Sequence, residues 1–262
     1  MIDRLKPWAW ILAGALLCTP SARADSSTTQ HDTYAYVVGA SVSLGFNMLG
    51  RGYSPPLFAL QQMGYPRDRI IKKTRVSGSF RSRLPWLKKQ FATHPPSILM
   101  GLDLFHHDLR LKQEISPSTY AYVDEVLDLL EASGAPYILG STWTRYDNRA
   151  TIDEMNAYLT DKQAEYRNLH LFPAHEVFDA LYFENQSYAY DINGIRFDLS
   201  RALGRKLLID VVHPNRRGAR VFANLLIDIA NRVQDAEHPY YPVDDVVRLA
   251  ARVSRREERS VH

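Results

Sequence analysis

Cysteine is nearly absent from the chain. The one Cys among 262 residues, Cys18, lies in a segment that reads as a signal peptide, so the mature protein is expected to form no disulfide and to rely on its core. Long apolar runs are missing too. The run from Trp8 to Leu17 is half of the roughly twenty residues needed to cross about 30 Å of hydrocarbon, which excludes a stable membrane anchor. Arg4 and Lys6 precede that run, and Ala22-Arg23-Ala24 follows it with small residues at alternate positions. Cleavage after Ala24 and export to the periplasm or the exterior are therefore expected. Leu17 before Cys18 is too large for a lipidation site. Neither sign of charge dominates, because removing residues 1–24 leaves 29 basic and 28 acidic residues. That balance argues against a nucleic-acid partner, whose phosphates demand a basic field. There is no internal repeat and no low-complexity segment.

What remains, residues 25–262, is long enough for one well-buried domain. Strand and helix signals alternate along it. Thr33–Gly39 is β-rich and ends in Gly, and the segment from Val42 to Met63 reads as a helix interrupted by Pro55-Pro56. Strands are expected at "RIIKKTRV", "SILMGL", "PYILG" and "LHLF". The helices between them carry capping signals: Ser116 before Pro117 with Gly134 at the far end, and Thr151 with Glu154 as a capping box for a helix reaching about Tyr166. Strands separated by helices of this length mean a mostly parallel sheet covered on both faces. Residues 183–207 break the rhythm with a hairpin turning at Asn193-Gly194, and residues 244–262 read as a basic helical tail docked on the surface.

In open parallel sheets the ligand crevice lies beyond the carboxyl ends of the strands. Polar residues that follow predicted strands are "GASVS" after the first, Ser77-Gly78 after the second, Asp103 after the third, and Asp210 with His213 after a last short strand, "LLID". Serine hydrolysis needs a hydroxyl nucleophile, a base to take its proton and a group that orients the base. Ser41, where strand turns into helix, suits the nucleophile, and its own N–H suits an oxyanion. His213 suits the base, and Asp210, three residues earlier, its orienter. Ser43 is a rival nucleophile, better placed as a cap.

Gly-x-Ser-x-Ser near the mature N-terminus, a Gly after the second strand, Gly-x-Asp after the third and "DVVHPNRRGARVFA" near the end together resemble the SGNH (GDSL-like) hydrolases. The resemblance covers nearly the whole mature chain. It implies a three-layer α/β/α sandwich with a central mostly parallel sheet, and a serine esterase with Ser41, Asp210 and His213 as catalytic triad. It also implies an oxyanion hole drawn from Ser41, Gly78 and the position of Asp103. Two departures stand out: Ala40 where the family usually has Asp, and Asp103 where it usually has Asn. A carboxylate repels an oxyanion unless protonated, so Asp103 either is held neutral or points elsewhere.

The implied function is an exported hydrolase of carboxylic esters, acyl or acetyl esters of lipid or carbohydrate, working as a monomer without cofactor or metal. Alternatives are a non-catalytic glycan- or lipid-binding domain and an acyltransferase using the same triad. "DLFHHD" places His106, His107 and Asp108 near Asp103, but adjacent His side chains diverge and make a poor metal site. Asn185-Gln186-Ser187 matches a glycosylation acceptor triplet, and Tyr188 and Tyr190 either line a pocket wall or pack against the sheet.

Overall fold

The computed structural model describes residues 33–45, 52–74, 79–144, 147–183, 186–192, 195–210 and 212–260. The expected cleavage site, Gly78, Asn185 and the Asn193-Gly194 turn lie outside the described residues. Five strands form one parallel sheet: β1 Tyr34–Gly39, β2 Ile70–Thr74, β3 Pro96–Gly101, β4 Tyr137–Gly140 and β5 Leu169–Phe172, in the order β2-β1-β3-β4-β5. Because side chains alternate across a strand, each strand feeds two cores. Ala35, Val37, Ile98, Met100 and Ile138 are buried on one face, and Tyr36, Val38, Leu99, Tyr137 and Leu139 on the other.

The first core is covered by α1 Ser41–Leu44, α2 Pro55–Gln62, α7 Ala174–Tyr182, α8 Arg201–Leu207, α9 Arg216–Gln234 and α10 Asp244–Ser260. The second is covered by α3 Leu84–Thr93, α4 His106–Leu109, α5 Pro117–Ala132 and α6 Arg149–Glu165. The result is the three-layer sandwich that the sequence implied. Among the described residues no helix is long and apolar enough to cross a membrane.

Several local expectations are corrected. Pro55-Pro56 begins α2 rather than interrupting a longer helix: Ser54 Oγ accepts from Leu57 N, and proline suits a first turn whose N–H groups lack helical partners. Helix α6 starts at Arg149, two residues before the expected capping box; Thr151 is buried inside it, and Glu154 instead accepts from the Tyr120 hydroxyl. Ser116 precedes α5 but gives it no side-chain cap, its hydroxyl bonding to Ser118 and Thr119. The expected strand "LLID" reduces to one antiparallel bridge between Leu208 and Pro214.

A two-stranded sheet stands apart from the main one. β6 Ser187–Ile192 pairs antiparallel with β7 Ile195–Ser200, but residues 201–207 then form α8. Tyr190 is buried in the first core and Tyr188 packs against it, so both hairpin tyrosines are packing residues. The tail is docked at its start, where Val246 is buried.

Candidate active site

Strand β1 ends at Gly39 and the chain turns at once into α1, so Ser41 sits at the first position of a four-residue helix at the carboxyl edge of the sheet. A helix start leaves N–H groups without backbone partners. Here one side chain from the next strand's end takes them up. Asp103 Oδ1 accepts from Ala40 N at 2.8 Å and Ser43 N at 3.2 Å, and Oδ2 accepts from Val42 N at 2.7 Å. The Ser43 hydroxyl donates to the same Oδ1 at 2.6 Å and accepts from Leu102 N at 2.9 Å.

Asp103 thus grips the N–H groups on both sides of Ser41 and passes over that of Ser41 itself. Of the two arrangements left open by the sequence, this is the one in which Asp103 points elsewhere. Its oxygens accept four hydrogen bonds and offer no donor to an oxyanion. Ser43, fully buried and bonded at its hydroxyl in both directions, has no route to a substrate.

The clasp requires a bare backbone at Gly39. Its φ is +134°, and a Cβ there would lie 2.5 Å from Ser43 Oγ and 2.6 Å from Asp103 Oδ1. Gly39→Ala is expected to lower stability by about 3 kcal/mol, combining an unfavourable backbone with displacement of the clasp. Thermal melts check it, and an unchanged melting temperature would show that the turn tolerates a side chain.

The second half of the site comes from the stretch between α8 and α9. Asp210 Oδ1 accepts from the backbone N–H of Val212 and of His213, each at 2.9 Å. The same carboxylate meets His213 Nδ1 at 2.8 Å through Oδ2 and at 3.0 Å through Oδ1. Burial pushes the Asp210 carboxyl up, but these N–H groups and the imidazole outweigh it and hold it below the usual carboxylate range. With the folded value depressed, the stability this lock contributes is present above about pH 3.9 and is lost only as pH falls through the folded value.

His213 Nε2 is buried and, among the described residues, has no hydrogen-bond partner. Among the described residues no hydrogen bond joins it to Ser41; catalytic contacts commonly close only around substrate. Asn215 then caps α9, its side chain accepting from Arg217 N and Gly218 N and donating to Lys206 O. Asp, His, Pro and Asn in this spacing therefore act together: the Asp210 carboxylate folds back onto the imidazole while Asn215 caps α9.

Aromatic residues floor the same edge. The His106 ring stacks on Trp143 at 4.8 Å, Trp143 meets Phe178 at 4.7 Å, and Phe178 meets Phe222 of α9 at 5.6 Å. Trp143 was not anticipated: "STWTR" follows β4 as Asp103 follows β3, and that position was the available signal. Burial presses the His106 imidazole down to about 4, with Asp103 opposing and His107 and Arg110 assisting. The folded value lies below the unfolded one, so the stability associated with the neutral ring is complete above about pH 6.5 and drains away as pH falls toward 4. The expected loss is up to roughly 3 kcal/mol across that window. Denaturant melts at both ends check it, with a shallower acid dependence expected in His106→Phe; equal slopes would remove His106 as the cause.

No family model and no curated protein matches the chain. Solved structures do. A member of the lipolytic protein G-D-S-L family from Veillonella parvula aligns with TM-score 0.54 at 16% identity, over 76% of this chain and 99% of that one. A psychrotrophic esterase from Pseudoalteromonas sp., inhibited by monoethylphosphonate, aligns with TM-score 0.53 at 12% identity, over 78% of this chain and all of that one. A lipase/acylhydrolase from Enterococcus faecalis gives 0.52 at 14% identity, over 80% of this chain and all of that one. At these identities the likeness is one of architecture: the chain has the α/β/α fold of the SGNH hydrolases, shared with G-D-S-L lipases and esterases.

Proposed function

We propose that the chain is an exported, single-domain SGNH esterase that cleaves carboxylic esters through a Ser41 acyl-enzyme. The observation that carries this reading is His213. Its Nδ1 is locked onto Asp210, so in the neutral ring the lone pair lies on Nε2, which is buried and has no hydrogen-bond partner among the described residues. In the proposed reaction Nε2 takes the Ser41 proton as Oγ attacks the ester carbonyl. The tetrahedral oxyanion receives the Ser41 N–H, with Gly78 N–H as second donor. The C–O bond to the alcohol breaks, His213 returns the proton to the leaving oxygen, and water then releases the acid by the same steps. Asp210 keeps the imidazole oriented, and Asp103 positions the turn that presents Ser41.

With its carboxylate turned onto the α1 turn, Asp103 neither repels nor donates to the oxyanion, and the proposed hole has two donors, Ser41 N–H and Gly78 N–H. A non-catalytic glycan- or lipid-binding domain is the alternative, which observed turnover would exclude. Hydrolysis of p-nitrophenyl acetate and butyrate by the purified protein tests the reading. Turnover that disappears in His213→Ala is expected; turnover that survives the substitution would place the chemistry elsewhere. Release of acyl groups to an added alcohol in preference to water would mark an acyltransferase using the same residues.

A further inference from the structure

Helix α1 is a single turn of four residues, and one turn forms too few hydrogen bonds to hold itself in place. Its position, and with it that of Ser41, is therefore set by whatever grips its two ends. The Asp103 clasp holds the first. At the second end the carbonyls, as at any helix terminus, lack partners along the helix. Gly45 N donates back to Ser41 O and Val42 O, and the Ser54 hydroxyl donates to the carbonyl of Ser43. Ser43 is thus held on both sides, its N–H and hydroxyl by Asp103 and its carbonyl by Ser54. The bond from Ser54 is buried, so water does not compete for it. A close approach makes it possible: Gly45 has φ +72°, and a Cβ there would lie 2.2 Å from Ser54 N.

Ser54 faces two ways. Its Oγ also accepts from Leu57 N, which makes it the cap of α2. Helix α2 packs along α9. Tyr240 and Tyr241 tie the two helices: Tyr241 OH donates to Phe58 O at 3.0 Å, and Gln62 Nε2 donates to Tyr240 O at 3.4 Å. Asn224 of α9 exchanges two hydrogen bonds with the Tyr241 backbone, at 2.8 and 3.0 Å. Helix α9 in turn begins just after Asn215, two residues beyond His213. A continuous path of contacts leads from Ser43 through Ser54, α2 and α9 to the turn that carries His213.

We propose that Ser54 is a positioning residue for the nucleophile: its hydroxyl ties α1 to α2 and so sets Ser41 against the His213 turn at the other end of that path. The role rests on the esterase reading above, because it acts on the geometry of attack. Loss of the tether leaves substrate binding intact and displaces the attacking oxygen, and about 1 Å at that atom is enough for a hundredfold loss. The consequence is a fall in kcat with KM unaltered. A Ser54 that only stabilised the fold would instead reduce the amount of active protein and leave the rate at each site alone.

Hydrolysis of p-nitrophenyl butyrate by Ser54 variants tests the proposal, with each rate divided by the amount of Ser41 that a fluorophosphonate labels at completion, so that misfolded protein drops out. Ser54→Ala removes both tether and cap, and should lose about tenfold or more in kcat per labelled site with KM within about twofold. Ser54→Gly removes the same donor but keeps a residue well accepted at a helix start, so it should lose as much in kcat with a smaller drop in melting temperature. Ser54→Thr keeps the hydroxyl in both roles and should stay within about threefold of the parent. Leu159→Val, a truncation on α6 in the second core, should lower the melting temperature and leave kcat per site within about twofold. Parental kcat per site in Ser54→Ala or Ser54→Gly, or an equal loss in Leu159→Val, would overturn the proposal. A parent protein that hydrolyses no ester would remove the esterase and this role together, whereas an active parent matched by its Ser54 variants would remove the role alone.

Discussion

Replacing Ser41 by Ala is expected to abolish ester hydrolysis, by about 10⁴-fold or more, and to leave the melting temperature within about one degree of the parent. The two halves of that result have separate causes. In the proposed reaction Ser41 supplies the atom that bonds to the acyl carbon, and Ser43, two residues on, is no substitute, because it is buried with its hydroxyl committed to Asp103 and Leu102. Stability is spared because the Asp103 clasp grips the backbone of Ala40, Val42 and Ser43, which the substitution leaves intact. A Ser41→Ala protein with parental activity would move the nucleophile elsewhere.

Asp103→Asn is expected to lower both stability and turnover. In the SGNH pattern an Asn amide usually occupies this position, so restoring the amide looks favourable on the sequence alone. The clasp reverses that expectation. Both carboxylate oxygens accept from backbone N–H groups, so an amide turned either way sets an NH₂ against a donor. Bonds to a charged acceptor contribute about 1.5–3 kcal/mol each, and losing one while crowding another costs about 3 kcal/mol. For a chain of this size that is roughly 6–12 °C in melting temperature. Turnover falls because the turn carrying Ser41 loses its tether, and a displacement of about 1 Å at the nucleophile is enough for a hundredfold loss. Asp103→Ala, which leaves all four donors without a partner, should be worse than Asp103→Asn. Thermal melts and ester assays on the two variants read the order; a stabilised or more active Asp103→Asn would show that the carboxylate burdens the site.

The alternation of strand and helix was legible because it is written in local periodicity, and the Asp210–His213 turn because its partners lie three residues apart. The capping errors share one cause. Thr151 and Glu154 make a good capping pattern in isolation, but Thr151 is buried inside α6 and Glu154 accepts from Tyr120, the helix having already started at Arg149. Pro55-Pro56 reads equally as a helix break or a helix start, and Ser54 decides for the start. The use of Asp103 was beyond reach: its partners lie 60 to 63 residues away, and only the neighbouring positions of β1 and β3 bring them together.

The central claim is that Ser41 is a nucleophile activated by His213. Treating the purified protein with a fluorophosphonate probe and mapping the adduct by mass spectrometry tests it most directly. The account predicts one phosphonylated residue, Ser41, and loss of the label in His213→Ala. A label on any other serine, or none on folded protein, would contradict it.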